Sequence, residues 1–235
     1  MPGSLTELAA VAEAERYKID LVRRYKQQGR LLEIGPATGT FAYLAKQAGF
    51  AVEAIEMDAA CCQFLEQVVG VRAIHSADAA GALGGLDGYD AIALWHVIEH
   101  LPDPWETLDA ARQRLRPGGV LVIATPNSAA FQFRIFGRYW AHLDAPRHLE
   151  LLPVERLVRW GEGAGLRVML KTTTDPGGLG WNLFSWEESL ANLVARATGR
   201  RRMPVLPGRG LSRLMRPVER GRRFLGTTYT VVFQR

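Results

Sequence analysis

An acidic side chain followed by a glycine-containing loop is the first arrangement in this sequence that could do chemistry. Glu33 ends the apolar run "RLLEI", and Gly35 and Gly39 lie in the stretch "EIGPATGTF". Glycine lets a ligand approach the backbone closely, and a loop between a strand and a helix presents backbone N–H groups at the helix N-terminus. The stretch therefore predicts a nucleotide-binding loop.

The class of nucleotide is narrowed by what this loop lacks. A dinucleotide fingerprint counted from Gly35 needs glycine at two positions that hold Ala37 and Thr40. The Gly-Lys-Ser/Thr sequence of a phosphate-binding P-loop is absent as well. Because Glu33 would add like charge beside a pyrophosphate, the loop favours a ligand that carries a positive group.

Two further acids follow later apolar runs. Glu56 ends the run in "AIEMD", about twenty residues past the loop, where an acid can bind both hydroxyls of a ribose. Asp78 follows a third run in "IHSADAA". A solvated strand end for Glu56 and an N-cap role for Asp78 are the alternatives.

Histidines are concentrated after the fourth and fifth apolar runs. His96 ends "YDAIALWH", while Glu99 and His100 are expected to begin the next helix. The stretch "HLDAPRHL" holds a second cluster, made of His142, Asp144, Arg147 and His148. This cluster is compatible with a substrate pocket, with a loop held by salt bridges and, as the least favoured interpretation, with a metal site.

These residues require a sheet whose strand ends meet. Five apolar runs alternate with helix-forming stretches between residues 29 and 127, and two more strand patterns occupy 166–174 and 227–235. This alternation predicts an α/β fold, a parallel sheet with helices on both faces. The length fits one domain over 1–235, with a leading helix over 6–28 and an insertion over 175–226.

Charge and composition exclude several classes of protein. The net charge is +5, but residues 196–223 contain ten arginines and one acid, a local charge of +9, so the rest of the chain carries −4. That balance gives no support for nucleic-acid binding by the main domain. The absence of a signal-peptide pattern and the adjacent Cys61 and Cys62, which cannot form a disulfide framework, favour a cytoplasmic protein.

The insertion contains an apolar stripe at helical spacing, formed by Leu211, Leu214, Met215 and Val218. Three arginines lie off this stripe: Arg213, Arg216 and Arg220. A basic amphipathic helix is typical of peripheral contact with an anionic membrane, here through 196–223. The alternative is that the stripe packs on the domain and the arginines are solvated.

Taken in order, these motifs resemble those of the class I S-adenosylmethionine-dependent methyltransferases. The first motif of that superfamily is an acid followed by three glycines at alternate positions, and "EIGPATG" matches it with Ala37 at the middle glycine. "AIEMD", "IHSADAA", "YDAIALWHVIEHLPDP" and "RLRPGGVLVIATPN" follow in the expected order. The stretches "LWHVIEHLPDP" and "WAHLDAPRHLELLP" together are similar to sequences of a bacterial group related to the ubiquinone-biosynthesis O-methyltransferases. The resemblance covers residues 15–175 and the last strand.

This resemblance implies S-adenosyl-L-methionine as cofactor, S-adenosyl-L-homocysteine as product, and a Rossmann-like, doubly wound sheet of seven strands, mostly parallel with an antiparallel last strand. It places Glu33 near the methionine amino group. Asp78 and the N–H of Ala79 would meet the adenine. The residues expected to bind the cofactor are Glu33, Gly35, Pro36, Ala37, Gly39, Glu56, Met57, Asp78, Ala79, Trp95 and His96.

The activity implied is methyl transfer to a small-molecule or lipid-like acceptor, most readily at oxygen. A hydroxyl acceptor benefits from a general base, and an imidazole with a reference pKa near ~6.5 suits that role at neutral pH. His96 is the first candidate because it lies at the carboxyl end of the sheet beside the loop, and His148 and His142 follow. Three residues are expected to contact the substrate: Asp144, Arg147 and Trp140. No bound metal is expected.

Two other interpretations stay open. One is a non-catalytic or membrane-associated protein that binds S-adenosylmethionine, since an intact cofactor site does not prove turnover. The other is a Rossmann-type NAD(P) oxidoreductase, which the incomplete glycine fingerprint disfavours. The expected partner is a small or amphiphilic substrate and no nucleic acid, and the expected state is a monomer or homodimer.

Overall fold

Two short helices lead into the sheet in the computed structural model, which describes residues 3–199, 206–219 and 225–235. Helix α1 spans Leu5–Ala12 and α2 spans Arg16–Arg23, with a 3-10 turn over Glu13–Glu15 between them. The prediction of one continuous helix over 6–28 is therefore wrong. Glu15, at the break, accepts hydrogen bonds from Thr40 at 2.5 Å and Lys18 at 2.9 Å. The bond from Thr40 of α3 is a tertiary contact, which local helix propensity does not include.

Strands and helices then alternate along the chain. The strands are β1 (Gly29–Ile34), β2 (Phe50–Glu56), β3 (Arg72–His75), β4 (Tyr89–Trp95), β5 (Leu115–Pro126), β6 (Arg167–Thr172) and β7 (Thr228–Gln234). The helices that follow α2 are α3 (Thr40–Gln47), α4 (Ala59–Phe64), α5 (Ala79–Gly84), α6 (Pro104–Arg114), α7 (Phe131–Phe136), α8 (Val154–Gly163), α9 (Pro176–Thr198) and α10 (Leu206–Glu219). Helices α9 and α10 lie between β6 and β7, where the sequence predicts an insertion.

All seven strands form one sheet in the order β3-β2-β1-β4-β5-β7-β6. Strand β7 is antiparallel to both of its neighbours, and the other pairs are parallel. The predicted Rossmann-like sheet with an antiparallel last strand is thereby confirmed. The chain runs from β1 outward to β3 and returns to the opposite side of β1 at β4. Ligands of open α/β sheets bind at such a reversal, beyond the carboxyl ends of the strands.

Four helices begin at an aspartate that caps the first turn. Each aspartate carboxylate accepts a hydrogen bond from the backbone N–H three residues further along, at 2.7–2.9 Å. The capping residues are Asp58 (α4), Asp78 (α5), Asp103 (α6) and Asp175 (α9). Such a cap satisfies one of the free N–H groups at a helix start, so these helices begin where the local sequence directs.

The core lies on both faces of the sheet because alternate strand residues point to opposite sides. On β1, Leu31 packs in the cluster that includes residues of α1, α2 and α3. Its neighbour Leu32 packs in the opposite cluster, which includes residues of α5, α6 and α8. A third cluster, around Trp140 and Trp186, joins α7 and α9 beyond the sheet.

Helix α10 packs on α9 through a face that includes only part of the predicted apolar stripe. A Cβ at Gly208 would lie 2.7 Å from the Cα of Glu187, and Ser212 and Glu219 are buried on the same side. Leu214 is 72% exposed and Val218 is 38% exposed. Leu211 and Met215 are partly buried against the cluster around Trp140 and Trp186, so two of the four stripe residues pack on the domain and the other two face outward. Within the described ranges, none of the helices is both long enough and apolar enough to span a membrane.

Close packing of α8 on the sheet predicts opposite effects for two glycines of that helix. A Cβ at Gly161 would lie 2.3 Å from the buried ring of Phe233, whereas none of the described atoms would come within 4 Å of a Cβ at exposed Gly163. We expect Gly161→Ala to lower the free energy of unfolding by about 1–3 kcal/mol through overpacking. Gly163→Ala, the matched control, should raise it by up to about 1 kcal/mol. Urea denaturation measures both, and equal effects would contradict the packing described.

Candidate active site

The loop after β1 passes so close to its neighbours that two positions exclude any side chain. Gly35 has φ +68° and Gly39 has φ +76°, in the left-handed region that favours glycine. A Cβ at Gly35 would lie 2.6 Å from Val97, which follows β4, and one at Gly39 would lie 2.5 Å from Leu65, which follows α4. The predicted glycine loop therefore lies at the sheet reversal, between the ends of β1 and β4.

Ala37 occupies the position where the superfamily motif has its middle glycine. Its φ is +48°, also left-handed, and its N–H donates to Oε2 of Glu56 at 2.9 Å. The Pro36 carbonyl accepts from the N–H of Gly39 at 2.8 Å and closes the turn. The hydrogen bond to Glu56 helps to hold Ala37 in a conformation that is unfavourable for a residue with a Cβ.

Glu56 links the loop to the end of β2. Its second oxygen, Oε1, accepts from the N–H of Asp58 at 2.9 Å, so two backbone donors fix the buried carboxylate. A carboxylate oxygen has two lone pairs, which leaves acceptor capacity for ligand hydroxyls. The next residue, Met57, is 69% exposed and presents an apolar side chain at the same edge. This arrangement fits a ribose and an adjacent base.

Glu33, next to the last residue of β1, is a buried carboxyl group with an unsatisfied oxygen. Its Oε2 has no hydrogen-bond partner among the described residues. Burial raises the pKa of Glu33 to about 8, and the positive charge of Lys18 partly offsets that rise. A positively charged ligand group placed here would satisfy the free oxygen and favour the ionised carboxylate. The site therefore fits the amino group of a methionine moiety.

The break in the leading helix brings a charged pair to the same region. The Nζ of buried Lys18 lies 2.9 Å from Oε2 of Glu15 and 5.4 Å from the ring centre of Trp95, at the end of β4. Glu15 and Lys18 are three residues apart on a predicted helix, but a helical pattern does not reveal that Lys18 is buried. Tyr17 faces Gly177 at the start of α9.

Asp78 and Ala79 lie where β3 gives way to α5. Oδ1 of Asp78 accepts from the N–H of Gly81 at 2.9 Å, which is the N-cap role considered as its alternative. The side chain is exposed and Ala79 is buried. Since one carboxylate oxygen is used for the cap, the predicted adenine contact would use the other oxygen, and it stays a prediction.

A cavity of about 690 Å³ adjoins the end of β4. It is lined by all the residues predicted to be catalytic or to contact the substrate: His96, Trp140, His142, Asp144, Arg147 and His148. Trp181 and Phe184 from α9 complete an aromatic wall. Glu99 and His100, which the sequence assigned to the next helix, also line it. They form a 3-10 turn over Ile98–His100 instead, because α6 begins only at Pro104 after its Asp103 cap.

His96 stands between the loop and this cavity. Its φ of +58° is unusual for a residue with a side chain and turns the imidazole out of the strand. Nδ1 lies 3.6 Å from Oε1 of Glu99, and the ring centre lies 5.0 Å from that of Trp181. Trp95 is buried and packs edge-on against Phe41 at 5.4 Å. The strand end thus directs His96, and not Trp95, toward the cavity.

His142 is a buried, neutral imidazole within the aromatic wall. Burial, with a smaller contribution from the neighbouring His96 and His148, lowers the pKa of His142 to about 3. Its Nε2 has no partner in the described part of the chain, and its ring lies 5.2 Å from Trp140 and 5.5 Å from Trp181. A neutral imidazole with a free nitrogen can exchange a hydrogen bond with a ligand in the cavity.

The remaining predicted residues lie in the walls and at the rim of the cavity. Asp144 and Arg147 pair with each other at 2.6 Å, and the Arg147 side chain is largely exposed. Buried Trp140 donates from Nε1 to Oγ1 of Thr227 at 3.1 Å. His148 contacts the carbonyl oxygen of His142 through Nδ1 at 2.7 Å. The cluster is thus brought together as predicted, although Asp144 and Arg147 partly satisfy each other.

The raised pKa of Glu33 leads to a prediction about stability at different pH values and about cofactor binding. As the pH rises from about 4.5 to about 8, the unfolded chain loses the proton that folded Glu33 retains, so the free energy of unfolding falls. Glu33→Gln removes this loss, and the free variant should melt at a higher temperature than the wild type at pH 8. The rise in melting temperature on adding S-adenosylmethionine, the predicted cofactor, should become much smaller, because glutamine cannot supply the negative charge.

The matched control is Glu66→Gln, at an exposed glutamate of the turn after α4. It should alter neither the melting temperature at pH 8 nor the rise caused by S-adenosylmethionine. A Glu33→Gln variant that melts no higher than the wild type at pH 8, or that keeps the full cofactor-induced shift, would contradict the role assigned to this carboxyl group.

Comparison with known proteins agrees with a site for S-adenosylmethionine. A family model described as a methyltransferase domain matches residues 10–171. A ubiquinone biosynthesis O-methyltransferase of Saccharophagus degradans is 27% identical over 150 residues, which cover 59% of this chain and 64% of that protein. Its counterpart from Aeromonas salmonicida is 30% identical over 150 residues, covering 59% and 63%. The chain spans less than two thirds of the length of these relatives.

Solved structures show the same fold at low sequence identity. A SAM-dependent methyltransferase from Archaeoglobus fulgidus superposes with a TM-score of 0.62 at 19% identity, covering 95% of this chain and 94% of that one. A cyclopropane synthase from Mycobacterium tuberculosis gives 0.61 at 15% identity, covering 93% and 83%. Because the family model covers more than half of the chain, this protein belongs to the S-adenosylmethionine-dependent methyltransferases, as its motifs predict.

Proposed function

We propose that this protein transfers the methyl group of S-adenosylmethionine to an oxygen atom of a small or amphiphilic acceptor. The observation that carries the proposal is the cavity at the end of β4. It is large enough for a ring-sized molecule, and His96 faces its aromatic wall. Relatives that are named ubiquinone biosynthesis O-methyltransferases support oxygen as the methylated atom. A non-catalytic binding protein would not need an acceptor cavity beside the cofactor loop.

The cofactor would be held along the ends of β1, β2 and β3. Glu33 would bind the amino group, Glu56 the ribose hydroxyls, and Asp78 with the N–H of Ala79 the adenine. The loop from Gly35 to Gly39 allows close approach of the ligand to the backbone. When bound, S-adenosylmethionine supplies a methyl group that its sulfonium makes electrophilic.

The protein's own contribution would be orientation, exclusion of water and handling of one proton. Trp181 and Phe184 of α9 narrow the cavity and would position an acceptor ring against the end of β4, largely a proximity effect. His96 would accept the hydroxyl proton, since its imidazole lies between the loop and the cavity. His148 and His142 rank behind it because they lie in the outer loop that follows α7.

His96→Ala should separate catalysis from binding. We expect turnover to fall by about 10²–10⁴-fold, the usual contribution of a positioned base, while the Kd for S-adenosylmethionine changes little. Turnover is measured by mass spectrometry with phenols, amines and thiols, each with and without an alkyl chain, and the Kd by calorimetry. Equal turnover in the variant would exclude His96 as the base. Methylation confined to amines or thiols would overturn the assignment to oxygen.

A second surface favours an amphiphilic acceptor or a membrane location. On α10, exposed Leu214 and Val218 lie among exposed Arg213 and Arg216, and α10 packs against the helix that supplies Trp181. Apolar and cationic side chains on one exposed helix are suited to an anionic lipid surface. We infer that α10 makes peripheral contact with such membranes. Arg220 and the arginines at 200–202, 222 and 223 lie outside the described residues.

Replacing Arg213 and Arg216 together by serine should weaken sedimentation with anionic liposomes. The effect should shrink at high salt, because it is electrostatic. Arg23→Ser with Arg159→Ser, at exposed positions of α2 and α8, is the control with the same loss of charge. Equal sedimentation of the two double variants would remove the membrane inference and leave the methyl transfer untouched.

The other partners expected from the sequence remain predictions. A monomer or homodimer, a cytoplasmic location and the lack of a nucleic-acid partner rest on composition and charge alone. Neither Cys61 nor Cys62 forms a disulfide.

A further inference from the structure

His142 is the most deeply buried histidine of the acceptor cavity, and one of its nitrogens lacks a partner. The residue is 6% exposed, and Nε2 has no hydrogen-bond partner among the residues that the structure describes. Native proteins satisfy the great majority of their buried polar atoms, so each exception calls for an explanation. Because His142 lines the cavity, a bound molecule can supply the missing partner.

The backbone around His142 is held from two sides, which fixes where its ring lies. The N–H of Ala141 donates to Oγ of Ser189, a buried residue of α9, at 2.9 Å. The carbonyl oxygen of His142 accepts from Nδ1 of His148 at 2.7 Å. Neither of these bonds uses the imidazole of His142, so the ring is placed by its backbone and remains available to a ligand.

Trp181 of α9 connects His142 with His96. The centre of its ring lies 5.0 Å from that of His96 and 5.5 Å from that of His142. Phe184, three residues further along α9, has its ring centre 5.5 Å from that of Trp181 and is 44% exposed, so it is the part of the wall that an entering ring can displace. An acceptor ring placed on this wall therefore lies within reach of both imidazoles.

The surroundings of His142 favour an uncharged ligand group. A neutral imidazole donates a hydrogen bond from one nitrogen and accepts one at the other, and a hydroxyl, which can do both, suits either tautomer. A carboxylate would lose water beside aromatic rings, which is costly without a paired cation. Of the two arginines that line the cavity, Arg147 is paired with Asp144 at 2.6 Å. The other, Arg138, lies over the ring of Tyr139 at 5.0 Å.

We propose that His142 determines which acceptors are used, because its Nε2 forms a hydrogen bond with an uncharged hydroxyl of the acceptor other than the one that is methylated. The preferred acceptor is then a ring with two hydroxyls, one at His96 and the other at His142. This inference rests on the proposed methyl transfer, which assigns the first hydroxyl to His96. It gives different roles to two histidines that the sequence offers as alternative bases.

The preference can be measured as binding, without methyl transfer. The full chain is saturated with S-adenosylhomocysteine, which has no methyl group to transfer, and NMR titration gives the Kd of phenol, of the three dihydroxybenzenes and of the three corresponding hydroxybenzoates. We expect the best dihydroxybenzene to bind roughly 3–10-fold more tightly than phenol, which is the net effect of one hydrogen bond between uncharged groups. The hydroxybenzoates should bind more weakly than phenol, because their carboxylate would be buried without a cation.

Substitutions at His142 separate hydrogen bonding from ring packing. His142→Phe keeps an aromatic ring in the wall and removes both nitrogens, so the advantage of the dihydroxybenzene over phenol should disappear. His142→Gln places an amide group near the position of Nε2 and should retain most of that advantage. The matched control, His75→Phe at an exposed histidine of β3, should keep the wild-type ratio of the two Kd values.

A measurement on the wild type does not depend on how well these variants fold. In protein labelled with ¹⁵N-histidine, the His142 signal is recognised because its imidazole, with a pKa of about 3, stays neutral at pH 5. The best dihydroxybenzene should shift the Nε2 resonance of His142 more than phenol does.

The proposal is overturned if none of these rings binds, if the wild type binds every dihydroxybenzene no better than phenol, or if a hydroxybenzoate binds most tightly. It is also overturned if His142→Phe keeps the advantage or if His142→Gln loses it to the same extent as His142→Phe. Failure of S-adenosylhomocysteine to bind, or methylation of amines or thiols alone, would count against the proposed function. The ratio of Kd values concerns His142 and not methyl transfer.

Discussion

The close approach of the β1–α3 loop to the segment after β4 is the constraint on which the site depends. With no side chain at Gly35 or Gly39, the loop fits between Val97 and Leu65. That fit carries the N–H of Ala37 to Glu56, so the ends of β1 and β2 are joined through one carboxylate. A bulkier residue at either glycine would push the loop away and separate the groups that must act on one ligand.

The same constraint divides the site into two parts of different origin. Residues that fit the cofactor lie at strand ends in the first half of the chain, fixed by the sheet. The acceptor side is built on β4 by His96 and completed by the loop after α7 and by Trp181 of α9. Because the sheet holds only the first part rigidly, the acceptor side is where related chains with different insertions can differ in substrate.

Much of the fold could be predicted because its signals are local. Apolar runs that end in Glu33, Glu56 and His96 mark strand ends, and parallel strands bring those ends to one edge. The predictions that the structure contradicts concern residues held by tertiary contacts. At the break, Glu15 accepts a hydrogen bond from Thr40 of α3, and the carbonyl oxygen of Glu99 accepts one from the N–H of Leu149 in the loop of His148. Helical periodicity contains no information about either contact.

The insertion shows why an apolar stripe alone does not define a packing face. Glu219 is buried on α10, and its Oε1 accepts from Nε2 of Gln132 on α7 and from Nε1 of Trp186 on α9, both at 2.7 Å. Leaving these donors unpaired in the core would cost more than exposing a leucine to water. Polar pairing therefore orients α10 and leaves Leu214 exposed. Since Trp186 also packs in the cluster around Trp140, the orientation of α10 is coupled to the aromatic wall of the cavity.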